Sequence, residues 1–529
     1  MPKDQRPEIS YLVQHVLPVL YSQYDYPAPN DEKNVKIEEI PVRIGGSPKK
    51  PDCVYYWEEN PVLLIESKKE GKTEKDAQDQ ASSYVKNYPV RVKEYSKNGI
   101  RPRFVATTVG EKIQFYECKY EISGADFKDW LEPINILAFK TLLARYGLSR
   151  GYKPKPLSPD EFREYFLYEM AKIYSNRDVI TKDAIYNVGH QILRYLAEPN
   201  NYTSREPYVL LDNYKHKQAQ IRHLFNQYNL FKSLTSDNAK EFRQFVLRAF
   251  QGTGLNQYMT EQCVIDFMIN LVKPKSYWKV LDFECGSGGF PAAVADKGGV
   301  LLNNIKGIDI DPLPVMIAKT YLAIYFKIHG KRINDIPIFN DNGLFDNGNN
   351  WDLVISNPAG SSRYEGTKLQ KVLKHLEADL NQDGRDESFS EYNFSAQQAV
   401  RSAKVGGYIC LILPEGFFAN SQNETLREFV LKYCKVLAII SLPRGVFRKG
   451  KDTKKSKEKG QIAQMKMSIL YARKIKEVVK KSGVDLAGTN LNYPIFLADI
   501  TDEGRTGEIS DWLTPRLNKV LTDWRKKGY

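Results

Sequence analysis

The sequence predicts an α/β protein of more than one domain, on three observations. From about residue 260, short apolar runs (VLDFECG, IKGIDID, DLVISN, GYICLILP, VLAIISLP) alternate with helical stretches, the pattern of a parallel sheet. One of these runs, WKVLDFECGSGGF at 278–290, breaks into a glycine-rich turn and then a helix, as in sheets that hold a ligand at their carboxyl edge. The first ~145 residues carry a separate set of strands, and 529 residues exceed what one core accommodates.

Taken in order, SYLVQHVLPVLYSQY has the spacing of an opening helix. VKIEEIPVRIG, PDCVYYW, PVLLIESKK, RFVATTVG and KIQFYECK read as strands. The Pro- and Lys-rich GYKPKPLSPDE at 151–161 reads as a linker. Apolar residues then recur every three or four positions to about residue 250, which predicts helices. The expected domains are 1–150, a helical segment 155–250, the cofactor-type α/β domain 251–475 and a tail 476–529.

Net charge is +13 with a pI near 9.1, which favours a polyanionic partner because Lys and Arg displace counterions from phosphates. The densest run, RGVFRKGKDTKKSKEKG at 444–460, holds eight basic and two acidic residues and reads as a basic loop. Six scattered cysteines form no CxxC, which argues against a zinc site or a disulfide framework. No apolar run reaches the ~18–20 residues that cross a bilayer, and the start lacks a secretory layout. A cytoplasmic protein with no membrane association is expected.

Chemistry-bearing residues gather first in PDCVYYWEENPVLLIESKK, 51–69. A hairpin turning about Glu59 pairs residues whose numbers sum to 118, and Asp52 with Glu66 satisfies this. Cross-strand partners lie ~4.5–5.5 Å apart on one face. Lys68, two residues on, shares that face. Two opposed carboxylates repel, and a divalent cation, Mg²⁺ or Mn²⁺, relieves the repulsion while acting as a Lewis acid. An ordinary amphipathic hairpin with surface charges is the competing reading. The P-D…E-x-K arrangement resembles the PD-(D/E)XK nucleases, in particular the nuclease domain of type I restriction subunits. Gln80 and Tyr84 fit the Gln-x-x-x-Tyr helix motif of that branch. The resemblance implies that Asp52 and Glu66 are metal ligands, that Lys68 and Gln80 are catalytic, and that Glu8 on the first helix assists the metal.

In the second half, Gly286, Gly288 and Gly289 form the turn, with Asp282 and Glu284 beside it. The negative charge argues against a pyrophosphate and suits a cofactor bearing an amino group and a sulfonium. Asp309, 23 residues after Gly286, is placed to accept ribose hydroxyls, and Asp341 in NDNGLF to meet an adenine amine. These are the needs of S-adenosylmethionine. The succession from NQYMTEQCVIDFMINLV through GIDIDP, NDNGLF, NPAG, GGYICLILPEGFF and IISLPRGVF resembles the modification subunits of type I restriction systems and the type IIG enzymes built from them. That resemblance covers roughly 155–475 and implies a Rossmann-like class I methyltransferase domain acting on adenine N6 of DNA.

Gln257, Tyr258 and Thr260 match the family's cofactor-cradling opening, with Glu261 where it has Pro. Asn357 and Pro358 match the start of its Asn-Pro-Pro-aromatic motif, whose side-chain and main-chain oxygens accept hydrogen bonds from a flipped adenine amine. Ala359 and Gly360 replace the stiffening proline and the stacking ring, and Phe283 follows Asp282 where Pro is usual. Weak methylation is the expectation, with Tyr364, Phe417 or Phe418 as substitute rings. No GxxxxGK[ST] occurs. Nothing after ~475 is long enough for target recognition, so a separate specificity subunit and double-stranded DNA are the expected partners. The whole reads as a restriction–modification or related defence protein. The alternative is a catalytically inactive DNA-binding scaffold.

Overall fold

The computed structural model describes residues 7–89, 100–123, 126–146, 157–174, 181–197, 260–328, 336–345, 347–358, 389–444, 466–479, 489–501 and 509–528, with a few isolated positions between them. Tyr258, Gln257, Ala359, Gly360 and most of the basic run 444–460 lie outside the described residues. The chain divides into two compact units, Met1–Val188 with Glu198–Ala249, and Gly189–Ala197 with Phe250–Tyr529.

The first unit is built on a six-stranded sheet. Its strands are β1 (Val35–Ile37), β4 (Cys53–Trp57), β5 (Asn60–Lys68), β6 (Phe104–Val109), β7 (Lys112–Ser123) and β8 (Asp126–Ile134), hydrogen-bonded in that order. Only β5 and β6 pair in parallel, joined through α3 (Glu74–Lys86). Both faces are covered, so β4 and β5 are apolar nearly throughout rather than alternating. One face packs Cys53, Tyr55, Leu63 and Ile65 against the opening helical run, α1 (Pro7–Tyr11), a π turn and α2 (Leu17–Tyr24), and against α4 (Phe139–Tyr146). The other packs Val54, Tyr56 and Leu64 against Ala81, Tyr84 and Val85 of α3. Thr73 starts α3 with a reciprocal capping box to Asp76.

VKIEEIPVRIG, expected as one strand, is two. Glu38 adopts a φ of 51°, and the chain leaves β1 to form a separate hairpin of β2 (Val42–Ile44) and β3 (Ser47–Lys49).

The second unit holds an eight-stranded sheet. In spatial order it runs β11 (Ile338–Asn340), β10 (Ile305–Asp309), β9 (Val280–Asp282), β12 (Trp351–Ser356), β15 (Ala403–Pro414), β17 (Met467–Lys474), β16 (Cys434–Ser441) and β18 (Phe496–Asp499). All neighbours are parallel except β17, which runs antiparallel between β15 and β16. A small pair, β13 (Arg363–Tyr364) with β14 (Phe389–Ser390), stands apart. Helices α5 (Gln262–Val272), α6 (Gly289–Asp296), α7 (Pro312–Ile328), α8 (Glu391–Ser402) and α9 (Glu424–Tyr433) connect or flank the strands. The stretch read as a tail contributes to both sheet and core. Its β18 pairs with β16, and α10 (Ile509–Lys526) buries Trp512, Leu513, Leu517, Leu521 and Trp524.

This strand order has a consequence for binding. The chain builds outward from β9 to β10 and β11, then returns to lay β12 on the other side of β9. The connections leaving β9 and β12 diverge and open a crevice at their carboxyl ends, where such sheets bind ligands. Asp282 is the last residue of β9, and Ser356, followed by Asn357, is the last of β12.

Candidate active sites

In the second unit, the crevice joins the two motifs that the sequence placed 74 positions apart. Ser356 Oγ donates to Asp282 Oδ1 at 2.7 Å. One residue on, Asn357 Nδ2 donates to Thr260 Oγ1 at 2.9 Å. The latter bond commits the donor end of the Asn357 amide, so its Oδ1 is left as the acceptor. Neither Ser356 nor the Thr260–Asn357 bond was anticipated; a hydroxyl directly before Asn-Pro was the available sign.

Asp282 is buried, and its Oδ2 has no hydrogen-bond partner among the described residues. Burial raises its pKa to about 8, against the opposing pull of the Ser356 hydrogen bond. A buried carboxyl without a cation beside it is an unfinished site, and an ammonium group would complete it. The residues therefore fit the amino-acid end of S-adenosylmethionine.

Asp309 ends β10 and meets the glycine turn directly. Its Oδ2 accepts from Gly286 N at 2.9 Å and its Oδ1 from Asp311 N at 2.9 Å. Burial raises its pKa as well. A carboxylate oxygen has more than one acceptor site, so ribose hydroxyls remain compatible with both bonds. Asp341 is exposed beyond β11, with Oδ1 accepting from Asn342 N at 2.7 Å. Ile310, beside Asp309, exposes 66% of its surface, an apolar face suited to a purine and missed in the sequence. Glu284 takes a 2.6 Å hydrogen bond from Ser395 Oγ of α8.

The glycines serve two different purposes. Gly286, at φ 51°, faces open space, as a ligand-binding turn requires. Gly288 makes room for protein instead: a Cβ there would lie 2.8 Å from Ala318 Cβ of α7. Phe283 is fully buried in the core beneath the turn. Glu261, in place of the family's Pro, caps α5 with a φ of −59°, the angle a proline would hold. Of the candidate substitute rings, Phe417 is 2% exposed and packs edge-on against Phe418 in the core, which removes it as a stacking platform.

In the first unit, the hairpin register puts Cys53 opposite Ile65, Val54 opposite Leu64 and Tyr55 opposite Leu63, each pair summing to 118. The turn is not centred on Glu59. Trp57 pairs with Asn60 around Glu58 and Glu59, both at positive φ, and a bulge between Tyr55 and Tyr56 restores the register. Asp52, one residue before β4, therefore stands across from Glu66, and Ser67 N donates to Asp52 Oδ2 at 2.7 Å.

Both carboxylates are buried, Asp52 at 1% and Glu66 at 0% exposure. Lys68 Nζ donates to Glu66 Oε1 at 2.5 Å and to Gln80 Oε1 at 2.6 Å, and Gln80 Nε2 donates to Tyr84 OH at 3.0 Å. The E-x-K strand end and the Gln-x-x-x-Tyr helix are thus one polar chain. Glu8 approaches by its backbone, its carbonyl accepting from Ser67 Oγ at 3.3 Å, while its side chain pairs with Lys69 at 3.7 Å. Among the described residues no group of three or more His, Cys, Asp or Glu gathers as a metal site. Two carboxylates suit Mg²⁺ or Mn²⁺, which take their remaining ligands from water, backbone carbonyl and substrate phosphate oxygens.

Against known proteins, the family model described as N-6 DNA Methylase matches residues 238–456. That match spans 219 of the 529 residues. The chain is 23% identical over 269 residues to the type I restriction enzyme EcoEI methylase subunit of Escherichia coli, covering 47% of the chain and 52% of that protein. It is 21% identical over 348 residues to the EcoKI methylase subunit of Escherichia coli strain K12, covering 61% of each. The chain thus spans between half and two thirds of the length of these curated relatives. A solved type I restriction-modification methyltransferase subunit from Streptococcus thermophilus has a TM-score of 0.45 at 15% identity, over 73% of the chain and 78% of that structure. No helix among the described residues is long and apolar enough to cross a membrane.

Proposed function

We propose that this protein acts in restriction–modification or a related defence against foreign DNA, with adenine N6 of duplex DNA as the methyl acceptor. The observation that carries the reading is the meeting of Ser356–Asn357 with Asp282 and Thr260 at the switch point of the sheet. It sets the base-binding motif beside the cofactor-binding motif, as transfer between their ligands requires.

S-adenosylmethionine, when bound, supplies the methyl group. Asp282 holds its ammonium, Asp309 its ribose hydroxyls and Asp341 its adenine amine. Asn357 Oδ1 and the Pro358 carbonyl accept hydrogen bonds from the extruded adenine's amine, keeping the nitrogen lone pair directed at the methyl carbon. Transfer is weak, because Ala359 and Gly360 replace the stiffener and the stacking ring. Transfer of tritium from labelled cofactor to DNA tests this reading, with a specificity partner supplied. No incorporation under any partner condition would reject it in favour of a scaffold.

The first unit supports a second activity, metal-dependent DNA cleavage. The polar chain from Glu66 through Lys68 to Gln80 and Tyr84, on a hairpin that places Asp52 across from Glu66, favours it. Mg²⁺ or Mn²⁺ would be held by Asp52 and Glu66 and would supply the Lewis acid. Lys68 spends two of its three N–H donors on Glu66 and Gln80, leaving the third to orient an attacking water. Plasmid nicking by wild type that Asp52→Ala matches at full rate would remove this activity from the reading.

A further inference from the structure

We propose that the β2–β3 hairpin is a clamp for the phosphodiester backbone of duplex DNA, seated at the mouth of the first unit's site. The proposal rests on the cleavage reading for its purpose, and on independent geometry for its placement.

The argument begins with an unusual connection. Strands β1 and β4 are antiparallel neighbours, with Ile37 opposite Cys53, and Glu38 N donates to Asp52 O at 3.2 Å. Neighbours of this kind are commonly joined by a turn of two to five residues. Here the chain between Glu38 and Asp52 instead makes a second hairpin, pairing Val42 with Lys49 and Ile44 with Ser47. Its turn is Gly45-Gly46, at φ 57° and 84°, with nothing within 4 Å of either added Cβ. The stem of this insertion closes on Asp52 itself.

The hairpin is anchored on one side only. Val42 and Ile40 are buried in the cluster containing Ala81, Tyr84 and Val85 of α3, the helix that presents Gln80 to Lys68. The hairpin therefore lies on the same face of the sheet as the Glu66–Lys68–Gln80 chain. Ile44 packs partly against the same cluster, while Arg43, all of Ser47–Lys49 and Lys50 are exposed.

The charge is one-sided. From Ile40 to Pro51 there are three cations, Arg43, Lys49 and Lys50, and no acid. Glu39, at the root, is answered by Lys36 at 3.4 Å. None of the three cations has a carboxylate partner among the described residues. Extended chain advances about 3.3 Å per residue, so Lys50 and Lys49 lie roughly 7 and 10 Å along the chain from Asp52. A DNA strand presents a phosphate about every 3.4 Å along the helix axis. Both lysines are thus within two or three phosphates of a bond cut at Asp52.

The test is the salt dependence of duplex binding by the full chain. The probe is a fluorescein-labelled random-sequence duplex, followed by anisotropy from about 50 to 200 mM NaCl without divalent metal. Each phosphate contact contributes roughly 0.9 to the slope of log K against log[salt]. The variant R43Q/K49Q/K50Q is expected to bind with a slope shallower by about 2–3. The control K33Q/K112Q/K140Q removes the same charge from exposed positions elsewhere in the unit. An unchanged slope in the hairpin variant, or an equal fall in the control, overturns the proposal. Failure of the cleavage reading is seen separately, as full-rate nicking by Asp52→Ala, and leaves the slope result intact.

Discussion

The two units each bury acids at the end of a strand, yet they neutralise them differently. Glu66 has Lys68 at 2.5 Å, so the first unit carries a cation of its own within the site. Asp282 has a serine hydroxyl on one oxygen and no hydrogen-bond partner among the described residues on the other. The energetic cost of a buried charge explains the difference in behaviour. Glu66 meets its counter-ion on its own strand. A carboxyl without a cation takes up a proton and is finished by a positively charged ligand.

The sharpest way to break the comparison is Asp52→Ala. It removes one of the two acids proposed to hold the metal, and nicking of supercoiled plasmid should fall about a thousandfold, equivalent to roughly 4 kcal/mol of barrier. Duplex binding should persist. Retained nicking would leave the first unit as a polar but non-catalytic hairpin.

Asn357→Ala probes the second unit. Loss of the proposed acceptor for the adenine amine should lower methyl transfer roughly a hundredfold while cofactor affinity, measured by calorimetry, stays near wild type. Equal loss of cofactor affinity would show that Asn357 serves the cofactor instead. Restoring Pro and Phe at 359 and 360 asks the converse question. Base–aromatic stacking contributes about 1–3 kcal/mol, so transfer should rise about ten- to hundredfold. An unchanged rate would place the weakness elsewhere.

Gly343 tests packing rather than chemistry. A Cβ there would fall 1.7 Å from the Phe283 carbonyl oxygen beneath the glycine turn. Gly343→Ala should lower Tm by several degrees, in keeping with an overpacking cost of about 1–3 kcal/mol. A wild-type melting curve would mean that the turn yields easily.

A further test lies in pH dependence. Asp282 has a folded pKa of about 8 against 3.8 unfolded. The folded state then binds more protons than the unfolded one between those values, so this group lowers stability as pH rises from about 4 to 8. Asp282→Asn should remove that contribution, and its Tm advantage over wild type should grow from pH 5 to pH 8. A constant difference would show that Asp282 is ionised throughout. A cofactor bringing an ammonium should shrink the same pH dependence in the wild type.

How much of this was legible before the fold was seen differs residue by residue. The 118 sum set Asp52 across from Glu66, and that register held because a bulge between Tyr55 and Tyr56 offset the turn's true position. The turn itself was misplaced, since two glutamates at positive φ gave no glycine signal and the compensating bulge has no sequence mark. The Asn-Pro motif and the acids at the ends of β9 and β10 were visible because strand ends carry the chemistry in such sheets. That Gly288 makes room for Ala318 had no sequence mark, because the two are 30 positions apart.

What the amino-acid order determined by itself was most of the central strands, the largely parallel character of the sheet from 260 onward, and the chemical kinds of residue at the strand ends. Those follow from local periodicity and from the conformational demands of single residues. Only the tertiary structure decided which hydroxyl holds Asn357, that Ser356 closes on Asp282, and that the 38–52 insertion folds back over α3. Each of these joins groups distant in the chain, where the gain comes from burying and satisfying polar atoms together. No local preference encodes that.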